Sequence, residues 1–406
     1  MKQLSKMMLA AVASVALAAP AFAWDFGASG SSTASFNSTS TKASKDATNT
    51  IASGGVTSSA SSLKLSSSHT DGPKSLSLSY TLDWDGNLDE TITLSGSSKV
   101  GDWTASGDVS YNRDRPGCYA TDNGTAASTA ATAGCQGQTG EDTTAVTVTD
   151  GTMTIKLGDA SHLSGQNVSS NGAAAGAVSF DAADDDASVG AFVGAFQGVS
   201  LGYKISDTMS ATVAYQASLD TADACGAGEA YDGEGASHGI TATGLGFSGT
   251  FGIASVGFTM CNAATADAGT ASVSPASTST ATSTMGIGVK LDLGDIDPFI
   301  SFGTYSAVGS VSKAGAAYAG NEVGLTYALG NDTVVFYIGS VTEIVTPSGG
   351  VAGEAITKSG MELGYNTMVG PASLKVGYGS QTHAQTGGST DGYSMTDIEV
   401  AMTYGF

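Results

Sequence analysis

Four aspartates that stand close together are the side chains with the clearest capacity for chemistry. Asp181, Asp184, Asp185 and Asp186 lie in a Gly- and Ala-rich stretch over 160–197. Carboxylates at a narrow passage would favour cations, because their potential is weakly screened beside a low-dielectric wall. Two alternatives stay open: an ordinary solvated loop, or a Ca²⁺ site built from carboxylate oxygens. The aspartates lack the ordered ligand spacing of a calcium site, so we expect no bound cofactor.

The sequence shows no catalytic constellation, and we therefore expect no enzyme. The string GLGFSG over 244–249 matches the dinucleotide fingerprint, but that fingerprint links a strand to a helix, and no helical pattern follows here. The histidines are scattered among Ser- and Gly-rich stretches, without a zinc-protease motif or a nucleophile elbow. They are His69, His162, His238 and His383.

Four cysteines indicate disulfide bonds formed in an oxidising compartment. Cys118 and Cys135 bracket a Gly-, Ala- and Thr-rich loop, and Cys225 and Cys261 lie in or beside two later long connections. Four cysteines allow three pairings. We favour Cys118 with Cys135 and Cys225 with Cys261, because each pair then joins segments on the same, external side. No two cysteines form a C-x-x-C pair, so zinc or redox chemistry is not expected.

The charge balance argues against one class of partner. The chain of 406 residues carries 15 Lys and Arg against 37 Asp and Glu, a net charge of −22. Nucleic acids and anionic lipid surfaces are bound through clustered basic residues. We therefore expect no nucleic-acid partner, and a passing cation is favoured over an anion.

The elements that position these residues have the pattern of strands. Apolar and polar side chains alternate in segment after segment, which is the strand period. The segment 74–96 places Leu76, Leu78 and Tyr80 on one face, with a turn at Asp85-Gly86-Asn87. Longer polar connections separate such hairpins, so short and long connections alternate. Further short turns are predicted around Asp150-Gly151, Ser206-Asp207-Thr208, Ser248-Gly249-Thr250, Gly294-Asp295-Ile296, Gly330-Asn331-Asp332 and Gly370-Pro371.

The start of the chain indicates export. Lys2 and Lys6 precede an apolar run over 7–19 and the small-residue pattern AFA over 21–23, which is typical of a cleaved secretory signal peptide. We predict a signal peptide over 1–23 and a single barrel domain over 24–406. No later stretch has the roughly 18 apolar residues of a spanning helix. An exported chain that crosses a membrane without such a helix must form a closed barrel.

These patterns together predict the fold class. We expect an all-β protein, a transmembrane antiparallel β-barrel of about 16 to 18 strands with short periplasmic turns and long external loops. The stretch 160–197 is the candidate constriction loop, folded into the lumen. The last segment alternates strictly and ends on an aromatic residue, which places Tyr404 and Phe406 at the membrane interface.

The chain resembles a general porin of the Gram-negative outer membrane, of the alphaproteobacterial type, over essentially the whole mature sequence. The closing VAMTYGF is similar to the terminal strand that the barrel-assembly machinery reads, with Tyr404 and Phe406 as the aromatic residues. GTMTIKLGDASHLSG over 151–165 is similar to the passage that leads into the inward-folded third loop of those porins. The resemblance implies a homotrimer in the cell outer membrane. It also implies Arg113 and Arg115 across the lumen from the aspartates, whereas basic residues at a strand end more often anchor at the membrane surface.

The leading interpretation is a channel through which ions and small hydrophilic solutes diffuse passively, with a cation preference set by the loop carboxylates. The alternative is a secreted, acidic, β-rich structural or adhesive surface protein, against which stands the lack of a fixed repeat. A barrel enzyme or a specific transporter is a third class, disfavoured by the missing catalytic constellation.

Overall fold

The computed structural model describes residues 25–42, 50–84, 88–115, 140–160, 162–163, 196–219, 240–265, 281–308, 316–345, 354–386 and 394–406. Within these ranges all regular structure is β-strand, and no helix is long and apolar enough to cross a membrane. The predicted signal peptide lies outside them and stays a prediction. The strands are β1 (Asp25–Lys42), β2 (Thr50–Asp71), β3 (Lys74–Trp84), β4 (Leu88–Val100), β5 (Trp103–Arg115), β6 (Gly140–Thr149), β7 (Met153–Ala160), β8 (Phe196–Ser206), β9 (Met209–Leu219), β10 (Ile240–Phe251), β11 (Ala254–Thr265), β12 (Ala281–Leu291), β13 (Ile296–Val308), β14 (Ala316–Leu329), β15 (Asp332–Val345), β16 (Glu354–Val369), β17 (Ala372–Thr386) and β18 (Ser394–Gly405).

The strands form one 18-stranded antiparallel sheet that closes on itself as a barrel. Each strand pairs with its neighbours in chain order, and β1 pairs with β18 as well as with β2. A closed sheet has no edge strand, so every strand has a backbone hydrogen-bonding partner on both sides. The all-β barrel expected from the alternation is confirmed, at the upper end of the predicted strand number.

Short and long connections alternate as predicted. The connections after the even-numbered strands β2 to β16 have two to four residues, and those after the odd-numbered strands have three to 35. Because the strands are antiparallel and even in number, β1 begins and β18 ends on the same side of the sheet. That side is the one with the short connections.

One expected turn is wrong, and one connection starts later than expected. The turn predicted at Ser248-Gly249-Thr250 belongs to β10, which continues to Phe251. The chain turns instead at Gly252, which has a φ of 63°. Residues other than glycine rarely adopt this left-handed conformation. Cys261 lies within β11 rather than in the connection, because the strand continues through Thr265.

The strands have an apolar face and a polar face, because successive side chains of a strand point to opposite sides. We call the face with alternate large hydrophobic side chains the apolar face, and the face with the intervening Ser, Thr, Gly and charged positions the polar face. The chain divides into two compact units. The first unit is Met1–Thr33, Ser58–Asp150 and Tyr404–Phe406, and the second is Ala34–Thr57 and Gly151–Thr403.

In the first unit, strand register builds the apolar face across β3, β4 and β5. Leu78 pairs with Leu94, and Leu94 pairs with Val109. These three side chains are 45%, 45% and 46% exposed. On the polar face, Ser75 Oγ and Ser97 Oγ lie 2.7 Å apart. Contiguous aliphatic side chains with this degree of exposure are expected to contact an apolar environment, because exposing such a patch to water is energetically unfavourable.

In the second unit, the two faces differ sharply in burial. Val323 pairs with Ile338 on the apolar face, and the two side chains are 44% and 48% exposed. Glu322, the residue directly before Val323, is fully buried on the polar face. Buried carboxylates next to exposed aliphatic side chains reverse the order of a water-soluble sheet.

The last residue of the chain is fixed to β1 within the first unit. Phe406 N donates to Gly30 O at 2.9 Å, and Gly30 N donates to Phe406 O at 2.8 Å. A Cβ added at Gly30 would lie 2.6 Å from Phe406 Cζ and 2.8 Å from the backbone oxygen of Ser62. The ring of Phe406 therefore covers Gly30, and it also lies 6.1 Å from the ring of Tyr404, centroid to centroid. The terminal residue is thus part of the closure of the sheet.

We predict that Gly30→Ala destabilises this closure. The added methyl group would overlap both the Phe406 ring and the Ser62 carbonyl oxygen, and overpacking of this kind costs about 1–3 kcal/mol. The temperature at which the compact, fast-migrating band is lost on a denaturing gel should fall by several degrees.

Gly107→Ala is the matched control for that prediction. Gly107 lies on the apolar face of the same unit, and the atom nearest to an added Cβ is the carbonyl oxygen of Ala145 at 3.6 Å. This variant should keep the wild-type transition. Equal transition temperatures for both variants would contradict the role assigned to the Gly30 contact.

Candidate functional site on the polar face

Two carboxylates are buried on the polar face of the second unit. Glu322 of β14 and Glu362 of β16 are 0% and 1% exposed. The hydroxyl of Tyr337 on β15 donates a hydrogen bond to Glu362 Oε2, and the two residues are register partners. Gly324 pairs with Tyr337 and makes room there, since an added Cβ would lie 2.5 Å from Phe299 Cζ. Donors of this kind are required, because a buried charge without hydrogen bonds is strongly unfavourable.

A third carboxylate on this face links the last strand to the first. Asp397 of β18 is 8% exposed. Asn37 Nδ2 donates to Asp397 Oδ2 at 3.0 Å, and Thr39 Oγ1 donates to Asp397 Oδ1 at 2.8 Å. Hydrogen bonds to an ionised carboxylate are about twice as strong as neutral ones. Asp397 is therefore held in place by two side chains of β1.

The connection after β7 begins against the polar face. His162 and Leu163 are its described residues, and both are buried. His162 Nε2 lies 3.1 Å from Gly158 O, and His162 Nδ1 lies 2.8 Å from Ser200 Oγ. A carbonyl oxygen can only accept, so Nε2 carries a proton and donates to Gly158. In the neutral ring, Nδ1 then accepts the hydroxyl proton of Ser200.

Leu163 packs into a space that Gly244 leaves on β10. A Cβ added at Gly244 would lie 2.6 Å from Leu163 Cδ1 and 3.6 Å from the Cβ of Ala214. Leu163 is 1% exposed, and full burial of a leucine side chain stabilises by about 1.5–3 kcal/mol. The two described residues of the connection are thereby attached to the wall by a hydrophobic contact and a hydrogen-bonded imidazole.

The predicted constriction aspartates lie outside the described residues. Strand β7 ends at Ala160 and β8 begins at Phe196, so the candidate loop 160–197 covers the connection between them. Asp181, Asp184, Asp185 and Asp186 fall in that connection, and their place at a constriction and the calcium alternative both stay predictions. In the ranges given above, no three His, Cys, Asp or Glu side chains stand together as metal ligands.

Arg113 and Arg115 occupy the end of β5. Register pairs Arg113 with Glu90 of β4. The place of these two arginines at the constriction and the alternative of an anchor at the membrane surface both stay predictions.

Cys261 forms a disulfide bond and is 0% exposed. It is the register partner of Gly244, so it lies on the same face as the Leu163 contact. Cys118, Cys135 and Cys225 are outside the described residues. The pairings of Cys225 with Cys261 and of Cys118 with Cys135 therefore stay predictions.

Tyr404 and Phe406 lie on the apolar face at the end of the chain. Their side chains are 47% and 63% exposed. Exposed aromatic rings at the end of a strand are suited to a membrane interface. Recognition of these two residues by the barrel-assembly machinery stays a prediction.

Strand alternation alone does not single out the buried polar residues. Glu322 and Glu362 occupy polar positions of the alternation, as many exposed polar residues do. Lys156, between Ile155 and Leu157, also occupies such a position. Parity assigns such residues to the polar face. Their burial depends on what lies against that face, which the pattern of a single strand does not contain.

Comparisons with known proteins find similarity of structure alone. No protein-family model matches the chain, and no curated protein matches it significantly. OpdQ of Pseudomonas aeruginosa has a TM-score of 0.53 at 11% identity, covering 94% of this chain and 98% of its own. The outer membrane channel DcaP of Acinetobacter baumannii has a TM-score of 0.51 at 14% identity, covering 94% and 97%. OccK3 (OpdO) of Pseudomonas aeruginosa has a TM-score of 0.50 at 10% identity, covering 93% and 95%. These likenesses support the barrel fold over nearly the whole chain.

We predict that Gly244→Ala loosens the start of the connection after β7. The added methyl group displaces Leu163, so the amides of His162 and Leu163 should exchange hydrogen about tenfold faster, which corresponds to about 1.4 kcal/mol of local stability. Gly202→Ala is the control, because an added Cβ there would meet Thr212 Oγ1 at an ordinary 3.4 Å. Unchanged exchange in the Gly244 variant would show that Leu163 is not an anchor.

The predicted disulfide pairing has a direct test. In Cys225→Ser, Cys261 should become a free thiol that is alkylated after unfolding without reductant, because its partner is gone. In Cys118→Ser, Cys261 should stay protected and Cys135 should be alkylated instead. Peptide mass spectrometry reads both outcomes, and alkylated Cys261 in the Cys118 variant would establish a different pairing.

Proposed function

We propose that this chain is an outer-membrane channel through which ions and small hydrophilic solutes diffuse passively. The observation that carries the proposal is a closed 18-stranded sheet with exposed aliphatic side chains on one face and hydroxyl, glycine and carboxylate positions on the other. Such a sheet satisfies its backbone groups in hydrocarbon, while its polar face can line water. The likeness of fold to DcaP, a solved outer membrane channel, supports the same function.

Strand length fits a membrane-spanning wall. A tilted strand needs about 9–11 residues to cross the hydrocarbon core. Every strand except β7 has at least ten residues, and β7 has eight. Strand β7 is also where the chain leaves the sheet for the buried residues His162 and Leu163. We place the short connections in the periplasm and the long ones outside, as in other barrels of this kind.

Export, assembly and oligomeric state form the finer part of the proposal. A signal peptide over 1–23 would direct the chain to the outer membrane, and the barrel-assembly machinery would read Tyr404 and Phe406. The homotrimer and the alphaproteobacterial porin type rest on the resemblance of residues 151–165 and of the closing VAMTYGF. The channel function requires no catalytic group and no cofactor.

We propose that the connection after β7 narrows the channel and makes it prefer cations. The buried contacts of His162 and Leu163 with the polar face support an inward course of this connection. Asp181 and the run over 184–186 would add negative charge at the narrow point. Fixed carboxylates at a constriction raise the local concentration of cations, because their field is focused by low-dielectric walls.

Planar-bilayer recording under asymmetric KCl tests this function. Purified protein should give discrete conductance steps, with a reversal potential of the sign for K⁺ over Cl⁻. Absence of steps would reject the channel, and a chloride-selective potential would reject only the cation preference. Protein that stays monodisperse without detergent would instead favour the secreted surface protein.

The combined variant Asp184→Asn, Asp185→Asn and Asp186→Asn should move the reversal potential toward zero, because it removes the charges proposed at the constriction. The control is Asp292→Asn with Asp295→Asn, since both residues are exposed in the short connection after β12. This control should keep the wild-type potential. A triple variant with the wild-type potential would assign those aspartates to an outer loop.

A further inference from the structure

An open pocket of about 800 Å³ lies on the polar face of the second unit. Strands β7 to β10 form its wall, close to the short connections after β6 and β8. Register brings Lys156 beside Ser200 and Thr154 beside Gly202 in this wall. His162 bounds the pocket through its hydrogen bond with Ser200.

The two lysines of the pocket differ in their partners. Lys204 Nζ lies 2.7 Å from Asp207 Oδ1, and the hydrogen bond and charge of Lys204 lower the pKa of the Asp207 carboxyl. Lys204 is therefore paired with a carboxylate of the adjoining turn. No carboxylate oxygen of the described residues lies within 4.0 Å of Lys156 Nζ. Lys156 thus gives the pocket a positive charge that no described carboxylate pairs with.

A pair of hydroxyls adds a hydrogen-bond donor to the same pocket. Ser210 Oγ and Ser248 Oγ lie 2.9 Å apart on the neighbouring strands β9 and β10. One of their two hydroxyl protons makes the mutual hydrogen bond, so the other proton can point toward a ligand. The pocket therefore combines an ammonium group with three donors and at least one hydroxyl donor.

We propose that this pocket binds a small oxyanion, a carboxylate or a phosphate, through Lys156. The physiological meaning of this site rests on the proposed channel function. The site adds to that function a class of solute that is retained inside the channel. Charge-assisted hydrogen bonds between an ammonium and an oxyanion are the strong ones. Screening in salt of physiological strength acts over about 8 Å, so a lysine in the pocket outweighs acidic residues farther away.

Binding to the folded, detergent-solubilised full chain tests the site without any current measurement. Inorganic phosphate and lactate are the probes, followed by equilibrium dialysis at low salt, and at least one of them should bind saturably. Lys156→Gln should weaken binding about tenfold, because a hydrogen bond to a charged group is lost. Lys156→Arg should retain most of the affinity. Binding of one probe and not the other would identify the phosphate or the carboxylate as the ligand.

Two further variants control for charge and for folding. Lys290→Gln makes the same charge change on the same face, but Lys290 Nζ is paired with Asp297 Oδ2 at 3.3 Å, so it should bind like the wild type. Asp207→Asn releases Lys204 and should strengthen binding severalfold, which a misfolded protein would not do.

Equal affinities of the wild type and Lys156→Gln, or no saturable binding of either probe, would overturn the proposal. The test also separates this site from the channel proposal. A protein that binds a probe but gives no conductance steps retains the site and loses the channel. A conducting protein without binding loses only the site.

Discussion

The structure depends on the closure of one sheet, because a strand that crosses hydrocarbon must have all of its backbone groups paired. Strand β1 meets both β2 and β18, so no strand is left with an open edge. The closure is secured on both faces. Phe406 covers Gly30 on the apolar face, and Asn37 and Thr39 hold the carboxylate of Asp397 on the polar face. The polar contact also supplies the hydrogen bonds that a buried carboxylate requires.

The polar face is shaped more by glycine than by large side chains. Gly324 leaves room for the ring of Phe299 and the Cβ of Tyr337, and Gly244 leaves room for Leu163. Both glycines have ordinary strand backbones, so the benefit is space rather than unusual torsion angles. These spaces let single bulky residues sit close to the wall, where Tyr337 fixes the carboxyl group of Glu362 by a hydrogen bond.

The sequence predicts those parts of the fold that are set by local alternation. Leu76, Leu78 and Tyr80 mark one face of a hairpin because side chains two apart always share a face, and the ladder of such hairpins gave the barrel and its strand number. The turn near Gly249 was misplaced because glycine is typical of both turns and strands. The rings of Phe247 and Phe251 lie beside Gly249, where an added Cβ would be 3.0 Å and 2.9 Å from them, and that packing is visible only in three dimensions. The site was harder still to predict. The contacts of Leu163 with Gly244 and of His162 with Ser200 join residues far apart in the chain, and no periodic pattern encodes them.

The junction of Gly30 with Phe406 also ties completion of the sheet to its most remote pair of strands. Strands β1 and β18 are the first and the last strands of the sheet in chain order, and they pair with each other. Bringing these two ends together costs about 5 kcal/mol of chain entropy before any of their hydrogen bonds form, and topologies dominated by such remote contacts fold slowly. Until these two strands pair, β1 offers an open row of amide groups to any other strand. Closure of the sheet therefore competes with pairing of β1 to a strand of another copy of the chain.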